Sequence, residues 1–149
     1  MSKPTVNTGV PHVILLRGDP IRGESPAVPA TIKPGMLLER TSADKVQQHS
    51  TAGGKPTAAI FADVNTLTGK SIDDAYAADD NVQFLHCKPG DWVYAWLEIG
   101  GNVAIGEMLQ SNGAGALETS GYDGEAVAQA LQAVNNTSGA IARIKVEVL

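Results

Sequence analysis

One stretch of this chain is written twice. Val103 to Leu117, a short apolar strand running into a glycine-rich turn, matches Ile32 to Val46 without a gap at an offset of 71 residues. Carried onward, the offset pairs Gly35 with Gly106, Leu38 with Leu109, Ala43 with Ala114, Gly53 with Gly124, Ala59 with Ala130, Ile60 with Leu131 and Ala62 with Ala133; six of the seven pairs are identities. A duplication of this kind makes the chain two copies of one β-unit, residues 32–62 and 103–133, each a strand, a turn and a strand. It also decides a conflict, because residues 125–134 have good helical composition while the repeat places them opposite a strand. The repeat predicts strand there.

The segment before the first copy is different. Pro4, Pro11, Pro20, Pro26 and Pro29 fall in it, and Pro34 stands at its border, out of eight prolines in the protein. Each removes a ladder donor and fixes φ, so residues 1–33 read as an extended arm ahead of a domain spanning 34–149. Within the arm, Val13, Ile14, Leu15 and Leu16 form a strand-like apolar run that would be costly to leave in water. They are the candidate partner-binding residues. Arg17-Gly18-Asp19 spells an adhesion tripeptide, but with Pro20 following, a plain turn explains it.

The domain reads as strands separated by turn chemistry. Pro34-Gly35 is a turn, followed by strands over Met36–Arg40 and Lys45–Ser50 and by a third over Thr57–Val64. Ser71 to Asp79 opens with a helix-capping residue and acids, which suits one or two helical turns. Asn81–Cys87 is a strand, Lys88 to Asp91 a tight turn, and Trp92–Ile99 the clearest strand of all. Its alternation puts Trp92, Tyr94 and Trp96 on one face and Val93, Ala95 and Leu97 on the other. With both faces apolar, the aromatic one belongs to the core or to a subunit interface. Asn112-Gly113 suits the positive φ of a primed hairpin turn, and Ala142–Val148 alternates cleanly as the last strand.

Candidate chemistry is scarce. Gly69-Lys70-Ser71 has the end of a phosphate loop, but Val64 stands where its first glycine would be. Asp73, Asp74, Asp79 and Asp80 lack the alternating spacing of a calcium loop, and capping or solvation accounts for them. His12, His49 and His86 lie far apart; His86 and Cys87, adjacent on a strand, project to opposite faces and cannot share a metal. No nucleophile elbow or metalloprotease motif occurs, so no catalytic residue, cofactor or metal is expected. The net charge of −5 without a basic run argues against nucleic-acid binding, and no apolar run is long enough to cross a membrane as a helix. The chain reads as soluble and unexported. Charged residues make up only 18%, against about 25% in a typical domain, which suggests that part of the surface meets another protein.

The order of pieces resembles a known family. Pro34-Gly-Met-Leu-Leu-Glu-Arg-Thr41, Thr51-Ala-Gly-Gly54, Gly69 to Asp80, Lys88-Pro-Gly-Asp-Trp-Val-Tyr-Ala-Trp-Leu97 and Asn102 to Gly113 together look like the capsid decoration, or cement, proteins of tailed bacteriophages, over about residues 32–149. The resemblance implies a mainly β protein, a compact β-barrel or β-tulip that is usually trimeric and sits outside an icosahedral shell. It implies the major capsid protein as partner, the outer capsid surface as location after synthesis in the host cytoplasm, and a non-enzymatic role in holding capsid subunits together. The longer, proline-rich front end departs from the small members of that family. The alternatives are a tail or fibre adaptor, and a β-barrel ligand-binding or hydrolytic domain with Asp73, Asp74 and Asp79 at a pocket.

Overall fold

The computed structural model describes residues 10–28, 31–41, 43–54, 56, 58–120 and 125–149. The described residues form thirteen strands and no α-helix: β1 (Leu15–Arg17), β2 (Ile21–Pro26), β3 (Leu37–Arg40), β4 (Val46–Gln48), β5 (Ile60–Ala62), β6 (Asn81–His86), β7 (Trp92–Leu97), β8 (Asn102–Val103), β9 (Met108–Ser111), β10 (Leu117–Thr119), β11 (Ala128–Ala130), β12 (Val134–Asn135) and β13 (Ala142–Val148). A single 3₁₀ turn covers Thr66–Thr68.

Two barrels result, the first closing only at a single bridge and the second closed. The first has the order β2-β6-β5-β3-β4, and a parallel bridge from Ala27 to Val46 brings β4 back to the end of β2. The second has the order β7-β10-β9-β11-β13, and β13 closes it by pairing antiparallel with β7 from Ala142↔Leu97 to Glu147↔Trp92. Closure leaves few bare edges in a chain built from strands of two to seven residues.

The barrels share one plan down to single hydrogen bonds. β3 and β9 lie 71 residues apart, as do β4 and β10. Gly35 N–H donates to Ala62 O in the first barrel, and Gly106 N–H donates to Ala130 O in the second. Both glycines have positive φ, 94° and 89°, which a side chain would resist. Thr41 Oγ1 accepts from the amides of Ala43 and Lys45; 71 residues on, Asn112 Oδ1 accepts from those of Ala114 and Ala116. The ungapped register does not run to the end of the repeat, however. Ala62 corresponds to Ala130 instead of Ala133, because the connection between the second and third strands is three residues shorter in the second barrel. Gly124 lies outside the described residues.

Strand alternation explains where the core sits. Leu38, Val46, Ile60, Ala62, Val82 and Phe84 fill the first barrel, while Val93, Ala95, Leu97, Leu109, Leu117, Ile144 and Val146 belong to the second. Leu37, Phe61 and Leu85 alternate with the first set and are fully buried too, packed in one cluster with the interior of the second barrel. The first barrel is therefore apolar inside and on the side that meets its neighbour.

Several expectations change here. Residues 10–28 and 31–33 are not an arm separate from the domain: β1 pairs with β7, all six residues of β2 pair with β6, and Ile14, Ala27 and Ile32 are fully buried. Proline spacing misleads because Pro20 precedes β2 and Pro26 ends it, both places where a missing N–H costs no ladder bond. Residues 1–9 lie outside the description. Ser71 to Asp79 is not helical; Asp74 accepts from the Ser71 amide and hydroxyl in a tight turn, and Tyr76 bridges Ile32. Asn112-Gly113 opens a five-residue hairpin loop, 112–116, in place of a two-residue turn. Residues 125–134 are strand in part, over β11 and the start of β12, and none of them is helical.

A volume exchange between the copies makes a direct test. Where the second barrel pairs Val93 with Val146, the first pairs Gly23 with Phe84, and a Cβ on Gly23 would come within 2.7 Å of the Phe84 ring. Gly23→Val should overpack, at a cost of about 1 to 3 kcal/mol. Phe84→Val should leave a cavity and cost about 2 to 3 kcal/mol. The double variant should cost less than the sum of the two, as read from denaturant unfolding, since it restores the pairing of the sister barrel.

Candidate interaction surfaces

The two surfaces expected to bind partners meet each other. β1 lies antiparallel on the edge of β7, with Leu15 opposite Val93 and Tyr94 N–H donating to Ile14 O at 2.8 Å. Ile14 is fully buried in the core, Leu15 and Leu16 are half-buried, and Val13 alone of the four stays mostly exposed, at 55%. The aromatic face is half-covered as well. Arg17 stacks over Trp92 at 4.0 Å, and the Trp92 indole donates to Glu147 at 2.9 Å. Arg143 lies 4.3 Å from the Trp96 ring and 5.6 Å from that of Tyr94. The Trp96 indole donates to Pro34 O at 2.8 Å and its ring packs against the core of the first barrel. Trp92, Tyr94 and Trp96 thus serve contacts inside the chain.

Arg143 anchors the connection between β5 and β6 to this face. Its Nη2 donates to Ile72 O at 2.6 Å, and Asp73 stands 3.8 Å away. Burial pushes the guanidinium pKa down, while Asp73 and Tyr94 pull it the other way; stacking on two rings compensates part of the lost hydration.

An exposed surface follows β2. Three adjoining hollows of about 430, 260 and 500 Å³ lie beside it. The first holds His12, Val13, Arg22 and Lys70, the second Arg22, Gly23, Glu24 and Leu67, and the third Glu24, Leu67, Lys70 and Asn81. Arg22 and Asp63 form a 2.8 Å ion pair between the first two. Leu67, 79% exposed, stands on the 3₁₀ turn between the second and third. Sequence reasoning misses this surface because it assigns Ile21 to Pro26 to the arm. The alternation Arg22-Gly23-Glu24 between two prolines is the available sign of a short edge strand.

The other candidates are structurally committed. Asp79 pairs with Lys45 at 2.7 Å, and Asp80 accepts from the Ala77 amide. Among the described residues, no three His, Cys, Asp or Glu side chains gather as metal ligands. His49 Nδ1 lies 2.6 Å from Ser111 Oγ, and both residues are buried. The Arg17-Gly18-Asp19 turn serves the fold: Gly18 has φ of 119° and a Cβ there would collide with Asp91. Cys87 is buried, and burial, with Asp91 and Asp63 nearby, pushes its thiol up to about 12.

Fold and surface together define an all-β double barrel with three shallow hollows along β2. No family model matches the sequence, and no curated protein matches it. Among solved structures the chain is similar to the head fiber gp8.5 N base of bacteriophage phi29, with a TM-score of 0.57 and 9% identity over 87% of this chain and 93% of that one. At that identity the likeness is one of fold.

Two measurements check these assignments. Trp96→Ala should cost about 3 kcal/mol in urea unfolding, because the ring is held within one chain. Cys87, buried and protonated, should resist a thiol reagent at pH 8 in the folded protein and react fully in denaturant. Rapid labelling of the folded protein would contradict the burial.

Proposed function

We propose that this chain is a structural protein of a tailed-phage virion, bound on the outer surface of the head, where it stabilises the lattice of major capsid subunits and catalyses no reaction. The observation that carries the reading is the fold shared with a phage head-fiber base over nearly the whole of both chains. The ordered pieces from Pro34 to Gly113 that resemble decoration proteins support it from a separate direction.

The mechanism is mechanical. Packaged DNA strains the contacts between capsid subunits, and a protein bound across them adds interface that must break before the shell opens. A site repeated over a whole lattice reinforces it even when each contact is modest. The double barrel suits this role, since its halves share one buried core. The fold likeness also favours a second reading, in which the chain is a base that seats a fibre on the head.

Mixing the purified protein with heads that lack it separates the readings. Co-sedimentation with the heads, together with a higher temperature for DNA release, is the expected result. Binding that leaves the release temperature unchanged would favour the fibre base. Failure to bind any head would sink both.

A further inference from the structure

The two barrels differ in how one edge is covered. In the second, β1 lies on the outer edge of β7 and β10 meets that strand near its end, at Leu97. In the first, β4 reaches the corresponding strand, β2, only at Ala27, and among the described residues no strand lies beside Ile21 to Ser25 on that side. Ala27 N–H donates to Asp80 O across the β2–β6 ladder, and alternation then turns the peptide groups of Gly23 and Ser25 toward β6. Those of Arg22 and Glu24 point outward.

We propose that this edge pairs with itself, joining two copies of the chain through antiparallel β2 strands that cross at Gly23. In that register Arg22 stands opposite Glu24 of the second copy, and Glu24 opposite its Arg22. Both are hydrogen-bonded pairs of an antiparallel ladder, so the outward N–H and C=O groups of each residue find partners. The side chains of Arg22 and Glu24 are exposed on one face, so each cross-strand pair brings opposite charges together. Gly23 at the crossing has no side chain to hold the strands apart. Pro26, without an N–H, ends the ladder, and the exposed Ile21 beside it adds apolar contact. Edges that must stay single are commonly guarded by charge that repels a copy of itself. Here the charges alternate in sign, and a two-fold axis satisfies both pairs at once.

The test is the solution mass of the full chain by sedimentation equilibrium, with circular dichroism as the check on folding. The wild type should reach the mass of a dimer at micromolar concentration. R22E and E24R should each raise the dissociation constant about tenfold or more, since each places two like-charged pairs across the axis. The double variant R22E/E24R should return toward the wild-type constant. The carboxylate it carries at position 22 cannot pair with Asp63 in the same chain as Arg22 does, so recovery reports the contact between copies. A wild type that stays monomeric, a trimer indifferent to the swaps, or a double variant weaker than either single would each overturn the proposal. None of these outcomes depends on capsid binding.

Discussion

The seam between the barrels is the contact on which the rest depends. Leu37, Phe61 and Leu85 project from the first barrel and are fully buried against the second. At about 1.5 to 3 kcal/mol for each such side chain, their burial is comparable with the whole net stability of a small domain. Backbone bonds fix the register of the seam: Leu37 N–H donates to Gly115 O, Gly115 N–H to His49 O and Gly53 N–H to Ser111 O. Gly115 has φ of 81°, and a Cβ there would press on Gln48 and Met36, so the close approach needs glycine twice over. A short five-stranded barrel encloses a thin core. Two barrels that share a wall enclose enough.

The same seam explains why the copies have diverged where they have. The positions of Leu37, Phe61 and Leu85 recur in the second barrel as Met108, Gln129 and Glu147. None of these is buried: Met108 is exposed and Gln129 and Glu147 are half-buried. Replacing two of three apolar residues by Gln and Glu closes the series, as a polar terminal face does in repeat proteins. Inside the barrels the pressure is on total volume, and Gly23 with Phe84 can replace Val93 with Val146. At turns the pressure is on hydrogen-bonding geometry, and Thr41 can become Asn112 because both side chains accept from the same two amides.

Legibility in the sequence followed these pressures. The β class, the strand at residues 92–97 and the strand character of 125–134 could be read because alternation and turn chemistry are local, and because the second copy repeats the first. The three-residue shortening before β11 is hidden, since an Ala- and Gly-rich chain offers chance identities at the wrong register, such as Ala62 with Ala133. Residues 10–33 mislead for another reason. Proline marks where a ladder cannot continue but not which strand will border it, so two edge strands look like a free arm. The aromatic face is recognisable, but its coverage depends on Arg17 and Arg143, which come from opposite ends of the chain. Nothing local announces such a meeting.

What remains exposed is informative because so much else is covered. The apolar run Val13 to Leu16 and the aromatic strand look like the sticky parts of the sequence, and the fold uses them on each other. Among the surfaces that stay exposed is the flank of β2, with its alternating charges and the exposed Ile21 and Leu67. An open backbone edge has a direction and a register that scattered apolar contacts lack, so it can dictate the orientation of whatever joins it. The buried seam ties that edge to the second barrel through a shared core. Among the described residues the two barrels therefore differ at this edge: β1 lies along β7 in the second, and no strand lies along Ile21 to Ser25 in the first.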